Sequence, residues 1–362
     1  MAMSAVDQGI VEVDQAFADI IDFCLGCRAC EPVCPGLVPY GRALEGARAE
    51  ISAQLPVRGK ERRWQLGSAL GSRFLLRTGT FLLSISQIVG ATALAPKKYQ
   101  RVTSGLRRLS GRPQASVGHS GGSGDAGTVG LLTGCIQDQW FRPVNEAAVR
   151  LLEMAGHRVD APKAQTCCGA LAAHDGKTEA AHSFADTNSK VFAGYERVVA
   201  TAAGCSAHLS GYDHWADGGE QVAAAALDIT VAIARAIEDG RLPKSQVSRG
   251  RIAIQDPCHL RHAQRVTEEP RLILAAAGYE VVETDPQGMC CGAAGIYTIT
   301  QPEASEQLGN QKAEQVRLTG VDRVASANPG CEMQLRSYLD DNHEVAHPIE
   351  WYLRAIEEDV TG

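Results

Sequence analysis

From residue 128 to the end of the chain, short apolar runs alternate with longer amphipathic stretches, and the series occurs twice. In the first series Thr128-Val-Gly-Leu-Leu-Thr133 reads as a buried strand, 144–155 as a helix and His157-Arg-Val-Asp160 as a second strand. A helix over 178–194 and a third strand at Val198-Val-Ala-Thr201 complete it. The second series runs Arg251-Ile-Ala-Ile-Gln255, a helix at 268–277, a strand at 279–282, a helix over 302–317 and a strand at 322–325. Continuously apolar strands separated by helices predict βαβ units and a parallel sheet. The expected fold class is therefore α/β, with two duplicated βαβ domains at 128–245 and 246–362. An N-terminal α-helical module (1–57) and a linking segment (58–127) precede them.

The linking segment has a different pattern. Residues 78–96 carry no charge, and Phe74, Phe81, Leu82, Ile85, Ile88 and Val89 recur at helical spacing. Thr78, Thr80, Ser84, Ser86, Gln87 and Thr92 make the stretch too polar for a transmembrane helix. Within 58–113, twelve basic residues face the single acid Glu61, a net +11, which leaves −18 for the rest of a chain whose net charge is −7. Two readings follow. One is an amphipathic surface for anionic lipid, where each Lys or Arg near the headgroups contributes about 1 kcal/mol. The other is a helical pair packed on its own domain or on a partner subunit. Residues 114–127 are expected to form a flexible Gly/Ser linker.

Composition narrows the class. With 44% hydrophobic and 21% charged residues, the 362-residue chain is neither disordered nor a multi-span membrane protein. Its acidic balance argues against a nucleic-acid partner. The N-terminus lacks the basic-then-apolar pattern of a signal peptide, so a reducing cytoplasm is expected. There, 12 cysteines point to metal or redox chemistry rather than to the disulfide framework of a short secreted chain.

The cysteines fall into three sets. Cys24-Leu-Gly-Cys27-Arg-Ala-Cys30-Glu-Pro-Val-Cys34-Pro35 has the C-x2-C-x2-C-x3-C-P spacing of bacterial ferredoxins. Two intervening residues let successive thiolates converge on one cubane, and Gly26 and Ala29 leave room for the backbone to wrap it. A zinc knuckle is the alternative. In two-cluster ferredoxins the fourth cysteine of such a run serves the other cluster. No second run occurs here. Either a preceding motif is missing, or one cluster takes Cys34 or an outside ligand. The other two sets repeat: Cys135, 31 residues, Cys167-Cys168-Gly169, then 36 residues to Cys205; and Cys258, 31 residues, Cys290-Cys291-Gly292, then 39 residues to Cys331. Such matching marks an internal duplication. Each cysteine position falls at or just after an expected strand end, where ligands collect in parallel sheets. The glycines beside them suit tight strand-to-helix turns, and nearby helix N-termini would favour negative sulfur. Buried structural cysteines are the bland alternative.

These residues resemble the cysteine-rich CCG domains of heterodisulfide reductase catalytic subunits, shared with iron–sulfur subunits of glycolate oxidase and with lactate-oxidation proteins. A ferredoxin-type run followed by two such domains is similar to the glycolate oxidase iron–sulfur subunit family. Asn328-Pro-Gly-Cys331-Glu-Met-Gln-Leu335 and Cys24-Leu-Gly-Cys27-Arg-Ala-Cys30-Glu-Pro carry that likeness. The resemblance implies a [4Fe–4S] cluster at the N-terminal run and further iron–sulfur centres, or zinc in one of them, in the repeats. It also implies FAD-binding 2-hydroxy acid oxidase subunits as partners. The family usually has two ferredoxin runs. Heterodisulfide reductases close each repeat with C-x-x-C, where this chain has Cys205-Ser-Ala-His208 and Cys331-Glu-Met-Gln334. The missing fifth thiolate tells against disulfide-cleaving chemistry, which stands as the alternative function.

His208 and His259 are the candidate ligands or hydrogen-bond donors beside the cysteines, with His174 and His262 nearby. No Walker A or hydrolase constellation occurs, and the one G-x-G-x-x-G, Gly122-Ser-Gly124-Asp-Ala-Gly127 in the Gly/Ser linker, precedes an expected strand instead of following one. The function expected is electron relay from a partner flavoprotein to quinone or another acceptor, in the cytoplasm or peripheral to the membrane's inner face.

Overall fold

The computed structural model describes residues 2–55, 73–94, 100, 103–109 and 122–361. Two four-stranded, all-parallel sheets dominate it. The first contains β1 (Thr128–Leu132), β2 (Arg158–Asp160), β3 (Val198–Ala200) and β4 (Ala226–Asp228) in the order β2-β1-β3-β4. The second contains β5 (Arg251–Gln255), β6 (Glu280–Glu283), β7 (Arg323–Ser326) and β8 (Glu344–Ala346) in the order β6-β5-β7-β8. Registers match across the repeats: Gly130 pairs with Asp160 and Val198, and Ala253 with Val282 and Val324. In both sheets the order reverses between the first strand and the third, the point beyond whose carboxyl ends ligands collect in such sheets.

The six expected strands are present within a residue or two. The fourth strand of each sheet, Ala226–Asp228 and Glu344–Ala346, went unread. Both run almost directly into a helix, Ile229–Glu238 and Pro348–Thr361, and their pairing with β3 and β7 defines them.

The repeats share one hydrophobic core. Leu151, Ile233 and Ile237 of the first pack with Ile273, Ile349, Tyr352 and Ile356 of the second, all nearly inaccessible to solvent. The helices Arg142–Met154, Ile229–Glu238, Glu268–Ala276 and Pro348–Thr361 supply this layer. On the other side of the last two, Leu274 and Trp351 lie on Ile252 and Ile254 of the second sheet.

The N-terminal module is two helices around the first cysteine run. Asp14 caps Gln15–Asp22 by accepting from Phe17 N–H at 2.8 Å. Phe17, Ala18 and Ile21 then pack on Leu44 and Ile51 of the helix Tyr40–Gln54. Arg48, buried, ties the module down by donating to His174 O at 2.8 Å and to Cys24 O at 2.6 Å.

The linking segment forms a helix at Arg73–Ile88. Trp140 Nε1 donates to Thr80 Oγ1 at 3.0 Å, and Gln87 Nε2 donates to Arg107 O at 3.0 Å. Arg107 corrects the lipid reading for one of the twelve basic residues: it forks between Glu332 and Glu350 at 2.6–2.7 Å, both carboxylates buried. Of the expected linker, 122–127 is packed rather than free, with Ala126 N donating to Gly156 O at 3.0 Å. Residues 114–121 lie outside the described residues. Leu75, Leu82, Ile85 and Ile88 are exposed along the helix. Among the described residues no helix is long and apolar enough to cross a membrane.

The packing sets two stability expectations. Ile273→Ala should cost about 2–5 kcal/mol, with one cooperative transition for both repeats; two separate transitions in calorimetry would show the shared core to be dispensable. Arg107→Ala should cost about 3–5 kcal/mol, because two buried carboxylates lose their partner; urea titration of the variant measures it.

Candidate metal centres

In the first repeat each cysteine is delivered by a loop at a strand's carboxyl end. Cys135 follows β1 and precedes the helix Ile136–Trp140; Cys167 and Cys168 precede Ala170–His174; Cys205 lies in the first turn of Ala203–Leu209. The loop backbones are pinned by side chains. Asn188 Nδ2 donates to Cys167 O at 2.9 Å, and Tyr212 OH donates to Cys168 O at 2.7 Å. The result is a contiguous string of sulfur: Cys135 and Cys167 Sγ are 3.3 Å apart, Cys168 and Cys205 Sγ 3.2 Å apart, and Cys167 and Cys168 are also in contact.

The second repeat builds the same string from different supports. Asp256, after β5, takes Arg261 and Arg271 at 2.8 and 3.0 Å. Asp285, after β6, pairs with the buried Lys312 at 2.5 Å and accepts from Met289 N, which sets the approach to Cys290. Cys258 contacts Cys290, Cys290 contacts Cys291, and Cys291 Sγ lies 3.1 Å from Cys331 Sγ. Ser305 Oγ donates to Gly292 O at 2.8 Å.

The glycines divide into two kinds. Gly169 and Gly292 take φ of +96° and +86°, the left-handed turn expected of them. Gly204 and Gly330 do not; they lie in the first turns of the helices Ala203–Leu209 and Pro329–Tyr338, where φ is negative. A Cβ on Gly169 would stand 3.2 Å from His208 Nε2, and one on Gly292 would stand 3.2 Å from Gln334 Nε2. The two side chains are thus counterparts, three residues beyond Cys205 and Cys331. Gln334 Nε2 is used, donating to Ser305 O at 3.0 Å. His208 Nε2 is buried with no hydrogen-bond partner among the described residues, and so is His259 Nε2.

At the N-terminal run, Cys24, Cys27 and Cys30 lie within electrostatic reach of one another. Tyr40 OH approaches Cys24 Sγ at 3.9 Å, and Glu31 ties the loop by accepting from Arg28 at 2.8 Å and from Gly41 N at 2.7 Å. Cys34 sits beside Gly36, and Cys30 is exposed. His174 Nδ1 meets Glu45 Oε1 at 2.8 Å, and its ring stands 5.2 Å from that of His259 and 6.4 Å from that of His208. His262 Nε2 reaches Gly288 O at 2.9 Å, a tie between loops.

Electrostatics describe what these sulfurs need. Contact with Cys167, then burial, pushes the Cys135 thiol well up; contact with Cys167 and Cys205, then burial, does the same to Cys168. Cys167 alone is pulled down, through Cys135 and Cys168. In the second repeat, contact with Cys290 and burial raise Cys258; Cys258 draws Cys290 down, but Cys291 and burial carry it up. Backbone N–H groups of Ile136, Gly169, His259 and Gly292 offer partial compensation to Cys135, Cys167, Cys258 and Cys290. Four crowded thiolates therefore need positive charge among them, which a bound metal centre would supply. Burial, then His174, pushes His208 down to about 4; burial, then His174, pushes His259 to about 3, so both rings are neutral near pH 7. Among the described residues no group of three or more His, Cys, Asp or Glu is set as a preformed site for one metal ion.

Sequence reading found the cysteines and these histidines but missed Asn188, Tyr212, Asp256, Asp285 and Glu45. Asn188, Tyr212, Asp285 and Glu45 each act across 20 or more residues or on a backbone group, and Asp256 reaches Arg261 and Arg271 five and fifteen residues on, so no local motif signals them.

Comparison with known proteins agrees with this geometry. The CCG cysteine-rich domain family matches residues 129–210 and again 252–336. The probable glycolate oxidase iron–sulfur subunit of Bacillus subtilis is 30% identical over 92% of this chain and 81% of its own length. The glycolate oxidase iron–sulfur subunit of Escherichia coli is 27% identical over 96% of the chain and 85% of its own. A fumarate reductase (CoM/CoB) subunit of Methanothermobacter marburgensis is 34% identical over 62% of the chain and 44% of its own.

The two left-handed glycines give a graded prediction. At Gly292 a Cβ would meet Leu308 Cβ and Ser305 O at 2.9 Å; at Gly169 the nearest atoms are at 3.2–3.3 Å. Gly292→Ala should therefore lower stability by more than the ~1 kcal/mol set by the positive φ alone, and by more than Gly169→Ala. Thermal unfolding of both variants checks the order, and equal losses would contradict it.

Proposed function

Because the chain belongs to the glycolate oxidase iron–sulfur subunit family, we propose that it holds three iron–sulfur centres and relays electrons from a flavoprotein partner. That partner would oxidise a 2-hydroxy acid of the glycolate type, and the electrons would leave to quinone or another acceptor. The observation that carries the reading is the duplicated sulfur string, Cys135-Cys167-Cys168-Cys205 and Cys258-Cys290-Cys291-Cys331. An iron–sulfur cluster, when bound, supplies reversible one-electron storage.

This chain's residues do the rest. Cys24, Cys27 and Cys30, with Cys34, would hold a [4Fe–4S] cluster, and each quartet of a repeat would hold one further centre. Backbone N–H groups and the burial of the strings would set the potentials. His208 and His259, neutral and with a free Nε2, would serve as nitrogen partners at the edges of the repeat centres. The chain has no Walker A loop, and its one G-x-G-x-x-G, at 122–127, precedes β1 instead of following a strand, so the flavin is assigned to the partner. The exposed apolar line Leu75, Leu82, Ile85 and Ile88, in a segment of net charge +11, supports a peripheral position at an anionic inner membrane surface.

Anaerobic metal analysis with electron paramagnetic resonance of the reduced protein tests the proposal. Three cubanes predict about twelve irons per chain, falling by about four in a Cys167→Ser, Cys168→Ser double variant. About four irons with stoichiometric zinc would overturn it.

A further inference from the structure

Along the chain the three cysteine sets run N-terminal module, first repeat, second repeat. Their order in space is different. The helix Tyr297–Thr300, which begins six residues after Cys291, turns Tyr297 towards the N-terminal module, where its hydroxyl donates to Phe23 O at 3.1 Å. Phe23 is the residue before Cys24, so this bond joins the two sulfur sets directly. Tyr297 is buried and lies within the field of both Cys24 and Cys290. Cys27 feels the charge of Cys258 ahead of that of its own neighbour Cys24.

The first repeat connects through imidazoles. Cys258 Sγ lies 3.5 Å from His259 Nδ1; the His259 ring is 5.2 Å from His174, and the His174 ring is 6.4 Å from His208. His208 stands against Gly169 and Cys167. Glu45 and Arg48 of the N-terminal module hold the middle ring in place, one at its Nδ1 and one at its backbone carbonyl. The two repeats also differ at their counterpart positions, since Gln334 is bound to Ser305 while His208 Nε2 is free.

Resting on the three-centre reading above, we propose that the second repeat occupies the middle position, with electrons passing from the N-terminal centre to the second-repeat centre and then to the first. In each step one electron leaves a reduced centre and reduces its oxidised neighbour, with no bond made or broken. The reduced flavin of the partner subunit is the electron source. The first repeat is then the terminal centre.

Spin–spin coupling in the fully dithionite-reduced full-length protein tests the order. In the unaltered chain the signal of the N-terminal centre should be broadened and fast-relaxing. Cys290→Ser with Cys291→Ser should remove that coupling and leave a narrow, slowly relaxing signal; Cys167→Ser with Cys168→Ser should leave the coupling in place. Iron analysis accompanies every sample. A chain that never binds iron in the repeats defeats the three-centre reading itself. Full iron content with coupling lost in the first-repeat variant and kept in the second defeats only the order. Should the double variant fold poorly, Cys331→Ser, which keeps three thiols of the same string, must give the same loss of coupling, and its retention would overturn the proposal.

Discussion

Eight thiols, five of them buried and Cys135, Cys205 and Cys258 half-buried, form two strings at the carboxyl edges of two parallel sheets, and the rest of the structure serves that arrangement. Sulfur packed against sulfur at 3.1–3.3 Å resists ionisation, both by mutual repulsion and by loss of water. A fold can hold such a set only if the loops are fixed by something other than the sulfurs. Here Asn188 and Tyr212 grip the carbonyls of Cys167 and Cys168, and Asp256 and Asp285 organise the approaches to Cys258 and Cys290. The repeats thus reach one geometry with unrelated supports, neutral amides and a phenol in one and ion pairs in the other. That is the pattern expected when a duplicated fold keeps its site chemistry and rebuilds the surroundings.

The same constraint explains why the pieces are joined so closely. Electron transfer needs centres a short distance apart in fixed positions, and three of the joints between modules are made beside cysteines. Arg48 binds Cys24 O and His174 O; Tyr297 binds Phe23 O; Arg107 clamps Glu332, the residue after Cys331. The shared core of Leu151, Ile233, Ile273 and Tyr352 locks the repeats to one another. Burial pushes Glu332 up despite its arginine, whereas Arg107 holds Glu350 below the usual carboxylate range against burial. One arginine between two acids therefore leaves a site that depends on it in full.

Much of this was legible in the sequence, because a duplication printed in cysteine spacing needs no three-dimensional information. The strands β1, β3, β5 and β7 were legible too, since apolar runs buried on both faces have a plain signature. β4 and β8 were not, as each runs almost directly into a helix with no break to mark it. Gly204 and Gly330 were read as turn formers on the strength of their neighbours, yet they sit in helical turns where any small residue fits. The linking segment was ambiguous for a physical reason: a basic amphipathic helix suits a lipid surface and a protein surface alike. Arg107 itself lies on the protein side, while Leu75, Leu82, Ile85 and Ile88 stay exposed. The spatial order of the three cysteine sets had no sequence signal, because Tyr297 and His174 reach across elements far apart in the chain or from separate repeats.

Native mass spectrometry of the full-length chain, purified without oxygen, tests the central claim most directly, because it counts what each string of thiols holds. Three discrete increments above the apoprotein mass, each of iron–sulfur cluster size, are the predicted result. A single such increment, or increments matching bare metal ions in the repeats, would contradict the account.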